Sequence, residues 1–181
     1  MDDKILRIGI RKPEFLPDGT ATRPSRLIPG AVEFLYTIDE DGTSSKVVYV
    51  KEAVREDWKI AAENTAKEAV VWDTAKMMKS VYKQCGQEEK ASRTDPSMCI
   101  TNKRKLEGAG CIVSESAIRD AGIALGTSEL LLVPTSIHEV MVVPDTEPFR
   151  IACRRALREM NHDKLGFAFE SLGEEVVPIT L

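Results

Sequence analysis

Two side-chain periods succeed one another along this chain, and their order is what most constrains its fold. Leu6, Ile8 and Ile10 alternate with other neighbours, as do Val32, Phe34, Tyr36 and Ile38, which is the period of a strand with one buried face. Asp39-Glu40-Asp41-Gly42-Thr43-Ser44 then supplies turn chemistry before Val47-Val48-Tyr49-Val50, so an antiparallel hairpin is expected. The period next lengthens to that of a helix. Val54, Trp58, Ala61, Ala62, Thr65 and Ala69 share one face. Met77, Met78, Val81 and Tyr82 form the inward stripe of a second helix, with Asp73 as its N-cap and Gly86 as its stop.

Short strands are expected at 98–101 and 110–113. Ser114 caps a helix with Ile118, Ala121 and Leu125 inward and Gly126 at its end. The apolar run 130–133 reads as a strand ended by Pro134, and 137–143 as another stopped by Pro144. A last helix begins near Pro148, with Phe149, Ala152, Ala156, Leu157 and Met160 inward. A closing hairpin around Gly173 would join Phe167 and Phe169 to Val176 and Val177, with Pro178 on an edge strand. Regular strand–helix alternation is absent, which favours an α+β fold: mainly antiparallel sheet with about four helices, in one domain over 1–181.

Two stretches interrupt the pattern. Pro13, Pro17, Pro24 and Pro29 with Gly19 and Gly30 exclude helix and central strand from 12–30, leaving a long irregular loop. Residues 86–96 are polar, contain Pro96, and read as a surface connection.

The totals narrow the function classes. A net charge of −4 gives no bulk positive field, which argues against a nucleic-acid partner. The apolar runs are far too short to span a bilayer, and Met-Asp-Asp-Lys does not begin like a secretion signal, so a cytoplasmic location without a membrane partner is expected. Cys85, Cys99, Cys111 and Cys153 form no Cys-x-x-Cys pair, and three of them sit among apolar neighbours as small core side chains. His138 and His162 have no zinc-ligand spacing to any cysteine, so neither a metal nor another cofactor is expected.

Ile100-Thr101-Asn102, Gly108-Ala109-Gly110 and Val133-Pro134-Thr135-Ser136-Ile137-His138-Glu139-Val140 are similar to motifs of an uncharacterised bacterial family. With Ala61-Ala62-Glu63-Asn64-Thr65 upstream, residues 31–165 resemble this domain of unknown function, which is frequent in gut anaerobes. The resemblance implies a bacterial intracellular domain and no particular reaction. Thr135 stands where that family usually has Ser, and Glu107 where an aromatic is usual.

Several groups of residues carry possible chemistry. Ser136 and His138 in Pro134-Thr135-Ser136-Ile137-His138-Glu139 suggest a nucleophile and its base. Strand alternation would put Ser136 and His138 on one face and Glu139 on the other, so a third group such as Asp145 or Asn102 would have to contact and orient the ring. The plainer account is that Thr135 and Ser136 satisfy backbone groups at a turn and His138 is a hydrogen-bonded core or rim residue. His138-Glu139 begins like a zinc-protease motif, but Val142 occupies the second histidine's place.

Asn102, Lys103, Arg104 and Lys105, followed by Gly108 and Gly110, could cradle an anion. Arg150, Arg154 and Arg158 recur every fourth residue with Arg155 beside them, a row suited to phosphate or carboxylate. Trp58, Met77 and Met78 read as core. The leading expectation is a non-catalytic binding or interaction domain, its Arg helix and 102–110 loop joined in one basic patch for a small anionic ligand or an acidic protein. The alternative is a small hydrolase built on Ser136 and His138; a third reading is a C-terminal module that works with a larger relative.

Overall fold

The computed structural model describes residues 5–41, 44–92, 95–162 and 170–181. The strands form two antiparallel sheets. In the first, β3 (Val32–Asp41) is central. β1 (Arg7–Arg11) pairs along one edge of it; β2 (Thr22–Pro24) and β4 (Ser44–Tyr49) follow one another along the other. The second sheet runs β5 (Ala69–Asp73), β6 (Met98–Asn102), β8 (Glu139–Pro144), β7 (Glu129–Ser136), β9 (Val177–Thr180). The helices are α1 (Arg55–Glu68), α2 (Thr74–Gln84), α3 (Glu88–Ser92), α4 (Glu115–Leu125) and α5 (Glu147–His162), with 3-10 turns at Pro13–Phe15 and Gly108–Val113. This is the mixed, antiparallel α+β fold that the order of periods implies.

Local chemistry sets the helix ends. Asp73 accepts from the Lys76 N–H and Ser114 from the Ala117 N–H, each satisfying an otherwise orphaned first-turn donor. Gly126 closes α4 in the left-handed region at φ 71°, where a side chain would be strained.

Three apolar groups hold the layers. Ile118 and Ala121 of α4 pack with Ile100, Leu132, Val140 and Val142 on one face of the second sheet. Leu157 of α5, with Phe149 and Cys153, covers Leu131, Val133 and Val143 on the other. Ala61 of α1 covers Ile8 and Leu35 of the first sheet. Each fully buried aliphatic side chain contributes about 1.5–3 kcal/mol.

The 108–113 turn joins the sheets. It packs against the free edge of β1, where the Ile8 N–H donates to Thr65 Oγ1 and Gly110 lies directly on the Ile8 carbonyl. A covered edge strand cannot recruit another chain.

Several expectations are corrected. β1 and the 33–37 part of β3 are buried on both faces, because Arg7 is paired with Glu68 and Glu33 with Arg23, so their charges can leave water. The 12–30 segment includes the Pro13–Phe15 turn and β2, whose Pro24 sits on an edge. Val70-Val71-Trp72 form β5, directly between two helices, because pairing with β6 outweighs helix continuation. The inward stripe of α2 faces out: Met77 is 54% and Val81 44% exposed, and Met78 and Tyr82 are only half-buried. Trp58 is half-buried, with the Arg23 guanidinium over its ring.

The 86–96 connection contains α3. Residues 110–113 are a buried 3-10 turn, not a strand. β7 continues through Pro134 to Ser136 because a register shift after Val133 accommodates the missing N–H. Along α5 the inner stripe is Phe149, Cys153 and Leu157, while Ala152, Ala156 and Met160 are exposed. β9 pairs with β7 and leaves Pro178 on the sheet edge. The first arm of the expected closing hairpin (Phe167 and Phe169) and the tip at Gly42 and Thr43 lie outside the described residues. Among the described residues, no helix is long and apolar enough to cross a membrane.

Candidate functional site

The expected strand over 137–143 begins only at Glu139, because Ile137 and His138 form the tight turn joining β7 to β8. Tertiary contacts hold that turn. Ile137 is buried, its N–H donates to the Glu170 carbonyl (2.9 Å) and its carbonyl accepts from the Ala109 N–H (3.1 Å). Thr101 Oγ1 donates to the His138 carbonyl (2.7 Å). Gly108 is required beside it, since a β-carbon there would overlap that carbonyl and Thr101 Oγ1.

Ser136 and His138 do not form a nucleophile–base pair in this turn. Ser136 Oγ accepts the His138 backbone N–H (3.1 Å), an ordinary hydroxyl-capped turn. His138 Nδ1 accepts the Glu107 N–H (3.3 Å), and Nε2 faces Glu170 Oε1 at 4.0 Å. Both ring nitrogens thus face groups other than a hydroxyl. Glu139 diverges from the imidazole and accepts from the Cys99 thiol (3.4 Å). Asp145 is held by Arg150 through two hydrogen bonds of 2.5 and 2.7 Å, and Asn102 bonds both backbone groups of Leu106, so neither orients the ring.

Beneath the turn lies a charged seam. Glu107 is 1% exposed and ion-paired with Arg11, with a second bond from Arg11 Nε at 3.2 Å. Burial works against the Arg11 charge, but the hydrogen bond and charge of Glu107 outweigh it and hold the guanidinium above its ordinary value. Burial, reinforced by Glu107, pushes the Tyr36 phenol up as well. Glu107 has φ 52°, the left-handed region that a non-glycine residue enters only when its surroundings hold it there.

The expected basic patch is divided among different partners. Arg104 is paired with Glu40, and Lys105 lies 5.5 Å over the Trp72 ring; Lys103 is exposed. Gly108 and Gly110 are buried, and the N–H groups of Ala109 and Gly110 are bonded to Ile137 and Glu107, so the glycines serve close packing instead of an open anion cradle. On α5, Arg150 is tied to Asp145 and Arg155 to Glu159, while Arg154 and Arg158 are exposed. The cysteines are unpaired; burial pushes the Cys99 and Cys111 thiols up to about 12. Among the described residues, no group of three His, Cys, Asp or Glu side chains could hold a metal. His162 is a helix terminus whose side chain is outside the described set.

A cleft of about 880 Å³ opens elsewhere, between α1, the segment after β2, the start of α4 and β9. Its floor is aliphatic: Ile10, Ile112 and Ile118 are buried there, with Leu27, Ala62 and Leu181 beside them. Arg23 and Glu33 form an internal ion pair on one wall, and the Arg23 guanidinium lies 4.3 Å from the Trp58 ring centre. Arg26, Arg55, Lys59 and Arg119 stand exposed around the mouth. Among the described residues, Lys59 alone of these has a carboxylate in reach, Glu56 at 3.7 Å. The lining side chains therefore carry five cations against three carboxylates (Glu33, Glu56 and Glu115) on a chain of net charge −4.

Sequence reasoning placed Ile10, Trp58, Ala62 and Ile118 on apolar faces and singled out none of the cations around the mouth. The one available signal was the Arg55/Lys59 pair at helical spacing, which looks the same as any wet helix face.

The model of a Family of unknown function (DUF5688) matches residues 31–166. No curated protein matches the chain. No solved structure matches it either.

Proposed function

This chain belongs to the DUF5688 family, and from that premise we propose that it is a non-catalytic binding domain that takes a small organic anion in the cleft beside Trp58. One observation carries the reading: an aliphatic floor ringed by Arg26, Arg55 and Arg119, none with a carboxylate partner among the described residues. The cleft's volume falls in the range of small-molecule sites, which are mostly apolar with a few convergent polar groups. Cations at a half-enclosed apolar mouth attract an anion more strongly than cations in open water.

The absence of catalysis is supported by the His138 ring, whose nitrogens are turned toward Glu107 and Glu170. The reading also places the protein in a bacterial cytoplasm, where its unpaired thiols would stay reduced.

A thermal-shift panel of organic anions tests the binding. A ligand at 100 times its dissociation constant adds about 2.7 kcal/mol, or roughly 5–11 °C in Tm for a chain of this size. The double variant Arg55→Glu/Arg119→Glu should abolish the shift, and higher salt should weaken it. If no anion raises Tm, or reversing both rim charges leaves the shift intact, the cleft is not the site.

A second reading keeps a role for α5, because Arg154 and Arg158 are exposed with no hydrogen bond or ion pair among the described residues. Arg154→Glu/Arg158→Glu separates the two: loss of the shift in that variant alone would favour α5.

A further inference from the structure

We infer that the ligand of this cleft is a single-chain aliphatic amphiphile with a compact anionic head, such as an alkyl carboxylate or alkyl phosphate. This rests on the cleft being the binding site. The mouth and floor divide charge from oil: the cations without a carboxylate partner among the described residues are exposed at the rim, while half-buried Leu27, Ala62, Val113 and Ile179 present the accessible apolar surface, backed by buried Ile10, Ile112 and Ile118. A ligand matching that division carries its charge at one end and a hydrocarbon body at the other.

A nucleotide or other flat heterocycle fits less well. Trp58 is the lining's aromatic residue, and one face of its ring is covered by Arg23, which Glu33 holds in place at 2.7 Å. Ser25 is turned back to accept from the Leu27 and Ile28 N–H groups (3.4 and 3.2 Å). A base lowered onto this floor would leave its hydrogen-bonding edge facing isoleucines, and an unpaired buried polar edge is costly. A methylene chain has no such edge.

The test is calorimetric titration of the full chain with sodium octanoate, decanoate and dodecanoate, dodecyl phosphate, AMP and inorganic phosphate, all below micelle-forming concentrations. Affinity should rise about fourfold per added methylene, or roughly 200-fold from octanoate to dodecanoate. Ala62→Phe, which fills the floor from the half-buried face of α1, should remove the chain-length dependence. Arg55→Glu should weaken every alkyl anion about equally. The relative strength of dodecanoate and dodecyl phosphate identifies the head.

If AMP or inorganic phosphate binds while alkyl anions show no chain-length slope, the ligand class is wrong and the anion-binding reading stands. If none of these probes binds, both fall. Should Ala62→Phe fold poorly, the slope on the unaltered protein still decides, since a flat slope overturns the inference by itself.

Discussion

Replacing Gly110 by alanine tests the contact on which the joining of the two sheets depends. A β-carbon at this position would overlap the Ile8 carbonyl oxygen and stand 2.8 Å from its carbon and 3.2 Å from Gly9 Cα. Carbon atoms at optimal separation are about 3.5–4.0 Å apart, so the backbones must part by at least about 0.7 Å. Neither can do so freely. β1 is paired to β3 through five residues, Ile8 also bonds Thr65, and the 108–113 turn is anchored to Glu107 and Ile137.

Overpacking of this kind costs about 1–3 kcal/mol and sometimes more; with backbone on both sides we expect about 3. That is a fall of roughly 100-fold in the folding equilibrium, and about 6–12 °C in Tm. Urea unfolding at 25 °C, with the midpoint shifted and the slope unchanged, is the measurement. Gly126→Ala is the control: it has φ 71° but open space around it, so only the conformational strain of about 1 kcal/mol should be lost. If Gly110→Ala costs no more than Gly126→Ala, the 108–113 turn does not press on β1 as described.

Glu107→Ala should destabilise by about 3–5 kcal/mol, because it leaves the Arg11 charge largely buried and unpaired; Glu107→Gly should cost about 1 kcal/mol less, since glycine accepts φ 52° freely, and urea midpoints compare them. The Arg150 hydrogen bond, and then its charge, hold the Asp145 carboxyl below its usual range. Its stabilising effect is therefore present above the ordinary aspartate value of about 3.9 and lost as pH falls through the lower folded value, so Asp145→Asn should lose stability at pH 7 and converge with the parent in acid. With their thiols at about 12, Cys99 and Cys111 are ionised only about one part in ten thousand at pH 8, so a disulfide reagent should modify Cys85 first and these two only on unfolding. The same two thiols should make stability fall as pH rises above about 8.5, where the unfolded chain ionises first, which alkaline urea titrations would reveal.

What the sequence determined by itself is local. Asp73 and Ser114 announce their helices because a short acceptor side chain reaches first-turn N–H groups, and Gly126 announces an end because it alone enters the left-handed region without strain. The pairing of β3 with β4 and the α+β class follow from side-chain period in the same way. The period records which face is apolar but not what covers it, which is why the Met77/Val81 stripe of α2 was expected inside and stands in water.

Only tertiary structure decided that 137–138 is a turn. Ile-His carries no turn signal and alternates like a strand, and it bends because Ala109, Thr101 and Glu170 supply hydrogen bonds from distant parts of the chain. The cleft arises likewise, since Arg23, Arg55 and Arg119 sit on separate elements that meet only when the 108–113 turn brings β1 against α1 and the second sheet. Charge placed around an apolar hollow by long-range packing leaves no spacing to read.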